Sequence, residues 1–220
     1  MTDKPILFKA EMVRAILDGR KTMTRRVIKT PAPEWVLDPM REDAAKAGFY
    51  WFTPNPDEMS GSFLHILKYK VGDLLWVREA WRTVIGVDDM PPRDLIKGLM
   101  PLSYEADYTQ EPNDGFRGKL RQSIFMPRWA SRITLRVTCV KVERLRDISE
   151  ADARLEGIER LKSGRGYYDP RFDHDAVHLG YCRTAKYAFS LLWESINGEG
   201  SWRTNPWVAA ISFELTNKET

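Results

Sequence analysis

The stretch RITLRVTCVKVERL, residues 132–145, limits the possible folds more than any other part of the chain. Ile133, Leu135, Val137 and Cys139 alternate with polar residues, the period of two expected of a strand with one buried face. Beyond Cys139 the apolar positions become Val140 and Val142, one residue out of phase with the first set. Because successive side chains in a strand point to opposite faces, such a shift requires a bulge or a sharp bend. A bent strand predicts a sheet that curls, hence a small mixed β-barrel rather than a flat sheet. Closure of that barrel is expected from the last strand-like run, where Trp207, Ala209, Ile211, Phe213 and Leu215 alternate with Val208, Ala210, Ser212 and Glu214.

Helical patterns flank these strands, so the expected class is α+β. In residues 9–17, Met12, Val13, Ile16 and Leu17 share a helical face, and Gly19 follows where a left-handed stop would sit. KTMTRRVIK, from Lys21, reads as a strand leaving a tight turn, and LLWVREAW, after Val71-Gly72-Asp73, as another. Ser149 can cap a helix with Asp152 at its third position; Gly157 would end that helix and leave Glu156 in the last turn. Residues 185–196 form an apolar-faced helix through Tyr187, Ala188, Leu191, Leu192 and Ser195. Three segments, at about 31–68, 84–122 and 160–184, lose regular periodicity among Pro, Gly and aromatic residues and read as insertions. With no repeat and no interdomain linker, one domain is expected over residues 1–220.

Composition narrows the function classes. A hydrophobic share of 43% with 30% charged residues describes a folding chain, not a disordered one. Lys and Arg number 34 against 31 Asp and Glu, so the net charge of +3 permits an anionic ligand without the basicity of a nucleic-acid coat. No run approaches the roughly 18 apolar residues of a membrane span, and the two cysteines, Cys139 and Cys182, form no disulfide framework. A cytoplasmic protein is expected, with no membrane partner and no obligate protein partner; Cys139, in its apolar run, is expected to be a buried thiol.

Several residues are candidates for ligand contact. Trp76, Trp81, Tyr104 and Trp129 offer rings on which a base could stack, although large aromatics more often fill cores. Arg128, Trp129 and Arg132 combine positive charge with a stacking surface, and Glu79 is placed to read an amino edge; an Arg also snorkels from a sheet wall. GRKTMTRR presents Lys21, Thr24, Arg25 and Arg26, either as a solvated basic strand or as a grip on phosphate. His174 and His178 are four apart beside Asp173 and Asp175, but without an HExxH pattern or a Cys cluster they predict a surface segment rather than a metal site. SGRG at 163–166 lacks Walker spacing and reads as a flexible loop.

The segments ILDGRKTMTRR, VGDLLWVREAW and DISEADARLEGI, together with FMPRWASRITLRVT and NPWVAAISFEL, resemble in order and separation those of ASCH-domain proteins, especially longer phage- or prophage-associated members. The resemblance implies a PUA-like barrel with flanking helices, carrying the long insertions noted above. It also implies a nucleoside or RNA-like ligand. One branch of that family consists of amidohydrolases that remove the acetyl group from N4-acetylcytidine with a Lys, a Thr three residues later and a distant Glu. Carried over, these are Lys21, Thr24 and Glu156, with no metal and no organic cofactor. Thr24 would attack the acyl carbon, a neutral Lys21 would take its proton, and Glu156 would serve the leaving amine. Arg25 and Arg26 would help hold the substrate, and together with Arg20 would favour a neutral Lys21. Two other readings of the family stay open: a non-catalytic RNA-binding module using the same basic strand, and a ribonuclease.

Overall fold

The computed structural model describes residues 3–29, 35–37, 49–53, 63–108, 115–168 and 181–216. In chain order its elements begin with strand β1 (Asp3–Leu7), helix α1 (Ala10–Leu17), β2 (Met23–Val27), β3 (Val36–Leu37), β4 (Phe49–Thr53) and β5 (Phe63–Ile66). They continue with β6 (Leu74–Arg78), β7 (Trp81–Arg82), β8 (Ser103–Tyr104), β9 (Thr134–Arg144), α2 (Glu150–Leu155), α3 (Ala185–Asn197) and β10 (Trp207–Leu215), with short 3-10 turns in the connections. The fold is thus mixed α+β with few helices and several sheets. No helix among the described residues is long and apolar enough to cross a membrane.

The chain divides into two compact units that interleave along the sequence. The first comprises Met1–Gly19, Asp73–Arg136 and Glu214–Thr220; the second comprises Arg20–Gly72 and Val137–Phe213.

In the first unit β1 runs parallel to β6, which is antiparallel to the opening residues of β9, so that Ile6 lies opposite Val77 and Leu75 opposite Leu135. All four are buried, as alternation requires of one covered face. Val13, Ala15 and Ile16 form the buried face of α1. Trp81, Leu95, Met126 and Ala130 make a separate cluster beside the β7–β8 pair, in which Trp81 faces Tyr104. The long segment between β7 and β9 is pinned from inside: Arg121 donates to the carbonyls of Val87 and Met90 at 2.7 and 3.0 Å, using one charged side chain in place of regular pairing.

In the second unit β9 lies beside β10, and β10 is antiparallel to β2 with Ile211 opposite Thr24. Helices α2 and α3 bury Ala153, Ala185, Ala188, Phe189 and Trp193 with Leu145, Ile148 and Val208. The small residues at 153, 185 and 188 permit the close approach. Strands β3, β4 and β5 form a three-stranded antiparallel sheet within the segment expected to be irregular. The Phe52 ring meets Trp207 edge-on at 5.4 Å.

Two expectations require correction. No sheet among the described residues closes into a barrel: β10 is already flanked by β9 and β2, while β1 and β2 each have a neighbour on one side only. The phase change in β9 is real, since Leu135 and Val137 are buried, Thr138 and Cys139 are exposed, and Val142 and Glu143 are buried. Its effect is to re-aim side chains rather than to bring sheet edges together, and Cys139, at the change itself, is an exposed thiol. His174 and His178 lie outside the described residues.

Candidate active site

The site in the second unit begins where the chain leaves α1. Gly19, at φ +73°, takes the left-handed position that ends the helix, and the segment after it does not join β2 at once. Lys21 forms an isolated antiparallel bridge with Glu156, and the Thr22 amide donates to the Leu155 carbonyl at 2.9 Å. Pairing with β10 takes over at Met23. Lys21 and Thr24 are both buried, at 2% and 5% exposure.

Glu156 is carried by the end of α2. Ser149 caps that helix by accepting from the Asp152 amide at 3.0 Å, and Glu156 is the residue at its close, just before Gly157 at φ +95°. Asp152 and Glu156, four apart, share one side of this turn.

The Lys21 ammonium uses its three donors on the Glu156 carboxylate (2.7 Å to Oε2), the Glu156 carbonyl (2.8 Å) and the Met23 carbonyl (2.8 Å). Arg25 joins the same carboxylate from its other side, Nη1 donating to Glu156 Oε1 at 3.2 Å. Its Nη2 also donates to Glu143 Oε1 at 2.6 Å and Asp152 Oδ2 at 3.1 Å, and the second oxygen of Glu143 meets Lys141 at 2.7 Å. Three cations thus face three carboxylates, and each of the buried members, Lys21, Arg25, Glu143 and Glu156, has an opposite charge beside it, while Lys141 is exposed.

Burial pushes the Lys21 amine below its usual range; Glu156 opposes that shift, while Arg26 and Arg25 add to it. Arg26, half-buried, is likewise lowered by burial, with Tyr69 and Glu156 acting against the shift. Thr24, next to Arg25 on β2, is buried at 5% exposure. A hydroxyl on β2, an amine just before that strand and a carboxylate at the end of α2 are the group types that nucleophilic acyl transfer uses.

The other candidate residues belong to the first unit. Arg132 is held by two bidentate pairs: Glu79 at 3.0 and 3.1 Å, and Asp107 at 2.9 and 2.7 Å. Its guanidinium lies 4.0 Å from the centre of the Tyr104 ring, whose hydroxyl donates to the Ala130 carbonyl. Burial opposes the charge of Arg132, but the bonds to Glu79 and Asp107 outweigh it and raise its pKa. Glu79 is raised by burial, against the pull of Arg132. Trp81 is wholly buried and meets Trp129 edge-on at 6.3 Å. Trp76 is buried with Arg78 and Arg128 over its ring, at 4.6 and 5.7 Å, and Arg128 is tied to Asp3 at 2.7 Å.

The structure therefore brings together Lys21, Arg25 and Glu156 by direct bonds, with Thr24 and Arg26 on the adjoining strand, and places Trp76, Glu79, Trp81, Tyr104, Arg128, Trp129 and Arg132 in the other unit. Sequence reasoning missed Glu143 and Asp152 as members of the site. The spacing of Asp152 four before Glu156 is a signal that would have found it. Glu143 gave none, because the apolar phase resumed at Val142 predicts the opposite face for its neighbour. Among known proteins, no family model, no curated protein and no solved structure matches the chain.

Proposed function

We propose that this chain is an ASCH-type amidohydrolase that removes the acyl group from N4-acetylcytidine or a related N-acylated cytosine nucleoside. The observation that carries the reading is the buried 2.7 Å contact between Lys21 and Glu156 in the unit that also buries Thr24. These are the three residues that the motif resemblance selects from distant parts of the sequence.

The same contact supports a division of labour. The reaction requires one proton to pass from Lys21 Nζ to Glu156 Oε2, leaving a neutral amine beside a carboxylic acid, and burial acts on Lys21 in that direction. The amine takes the Thr24 proton as Oγ attacks the acyl carbon. Collapse of the tetrahedral adduct breaks the C–N bond, and Glu156 protonates the departing exocyclic nitrogen. The resulting Thr24 ester is cleaved by water, which gives one proton to the Glu156 carboxylate and its hydroxyl to the acyl carbon. As the ester breaks, Thr24 recovers its proton from Lys21, and the products are cytidine and the free acid.

The test is to incubate the purified protein with N4-acetylcytidine and separate the products by chromatography. Cytidine should form with the native protein, and Thr24→Ala or Lys21→Ala should lower the rate by at least about a hundredfold, the scale of losing a nucleophile or general base. Folded protein that leaves every acylcytosine intact, yet binds RNA with an affinity falling steeply in salt, would replace this reading with that of an RNA-binding module.

A further inference from the structure

Arg25 departs from what a basic strand suggests, since no part of its side chain is exposed. All five of its N–H groups are engaged. Nε and Nη2 donate to Glu143 Oε1 at 3.1 and 2.6 Å, Nη2 also donates to Asp152 Oδ2 at 3.1 Å, and Nη1 donates to Glu156 Oε1 at 3.2 Å and Met23 Sδ at 3.3 Å. A guanidinium used in this way has nothing left for a substrate. Its fixed plane is suited instead to holding several oxygens at set distances from one another.

Building on the amidohydrolase reading, we infer that Arg25 is the positioning residue of the site: it grips Oε1 of Glu156, so that Oε2 is the oxygen that meets Lys21. Glu143 comes from β9, Asp152 from within α2 and Glu156 from its end, and one side chain of β2 ties all three. The angle at which Glu156 faces the Lys21 amine is therefore set by Arg25. The charged groups around it are Lys21, Arg26, Lys141, Glu143, Asp152 and Glu156.

Position and charge can be separated. Arg25 also acts against a proton on Lys21, so removing its charge favours the ammonium form. Lysine at this place would keep a charge but not the planar fork.

The experiment compares native protein with Arg25→Lys and Arg25→Met, each checked for folding by circular dichroism. The Lys21 side chain is titrated without substrate by carbon NMR, its signal identified by its loss in Lys21→Arg, and kcat and KM for N4-acetylcytidine are followed against pH. Arg25→Met should move the Lys21 midpoint, and with it the rising limb of kcat, to higher pH. Arg25→Lys should lower kcat about tenfold to a hundredfold at nearly unchanged KM, as expected when a reacting group is misplaced rather than lost. Folded variants that keep the native midpoint and the native kcat profile would overturn the inference. If Arg25→Met does not fold, Arg25→Gln, which retains a planar amide without the charge, takes its place with the same expected shift. Should the native protein hydrolyse no acylcytosine, the amidohydrolase reading falls, while the Lys21 midpoint still decides whether Arg25 governs the pair.

Discussion

Lys21 occupies a position that is costly to fill with a charge. A straight ammonium chain at 2% exposure persists because three acceptors surround it, one of them ionised. Removing one partner of such a pair strands the other, so Lys21→Met should destabilise the protein by about 3–5 kcal/mol in urea unfolding at neutral pH. Its pH dependence has a definite sign. The amine is lowered in the folded state from an ordinary 10.5, so between the two values the unfolded chain binds more protons and stability rises with pH. The gap in unfolding free energy between native protein and Lys21→Met should widen as pH approaches about 10, the range of an ordinary lysine; a gap that narrows would mean that Glu156 outweighs burial.

At the scale of elements, α2 is the most exposed to perturbation. It spans only six residues, too few to persist on propensity alone, and its start depends on the Ser149 hydroxyl at 3.0 Å from the Asp152 amide. Ser149→Ala should cost about 1 kcal/mol, the usual value of an N-cap. Because Asp152 and Glu156 ride on this helix, the same variant should also lower the rate on N4-acetylcytidine, although Ser149 itself is not bonded to Lys21, Thr24 or Glu156. Unchanged urea midpoint and unchanged rate would show that α2 is held by its packing against α3 instead. The cap, the stop at Gly157 and the bounds of β10 were legible in the sequence, since each is a local matter of side-chain oxygen, positive φ or alternation. The β3–β4–β5 sheet was not, because its strands are short and the segments between them carry prolines and no regular period.

For the whole molecule, each unit has an arginine that holds buried acid, Arg25 on Glu143 and Glu156 in the second and Arg132 on Glu79 in the first, and the two groups differ in what surrounds them. In the second unit the carboxylates around Arg25 are balanced by Lys21 and Lys141. In the first, Arg132 serves two carboxylates at once, and Glu79, deeply buried, is raised from its ordinary 4.5. A raised carboxyl contributes stability that is present below its unfolded pKa and lost as pH rises through the folded one. Native protein should therefore lose stability relative to Glu79→Gln as pH rises above about 4.5, the ordinary value of a Glu carboxyl, measured by urea midpoints. The opposite slope would show that the bidentate pair with Arg132 prevails over burial.

The sequence alone determined the local events of this protein: where helices begin and stop, which strands alternate, where β9 changes phase, and which three residues a motif resemblance joins. These depend on side chains within a few positions of each other, or on motifs quoted whole. Tertiary structure decided that the sheets stay open, that Cys139 faces outward while Glu143 faces inward, and that Arg25 is paired with three carboxylates. The reason is physical: the face a bent strand presents, and the partner a buried charge finds, are set by elements that arrive from more than a hundred residues away.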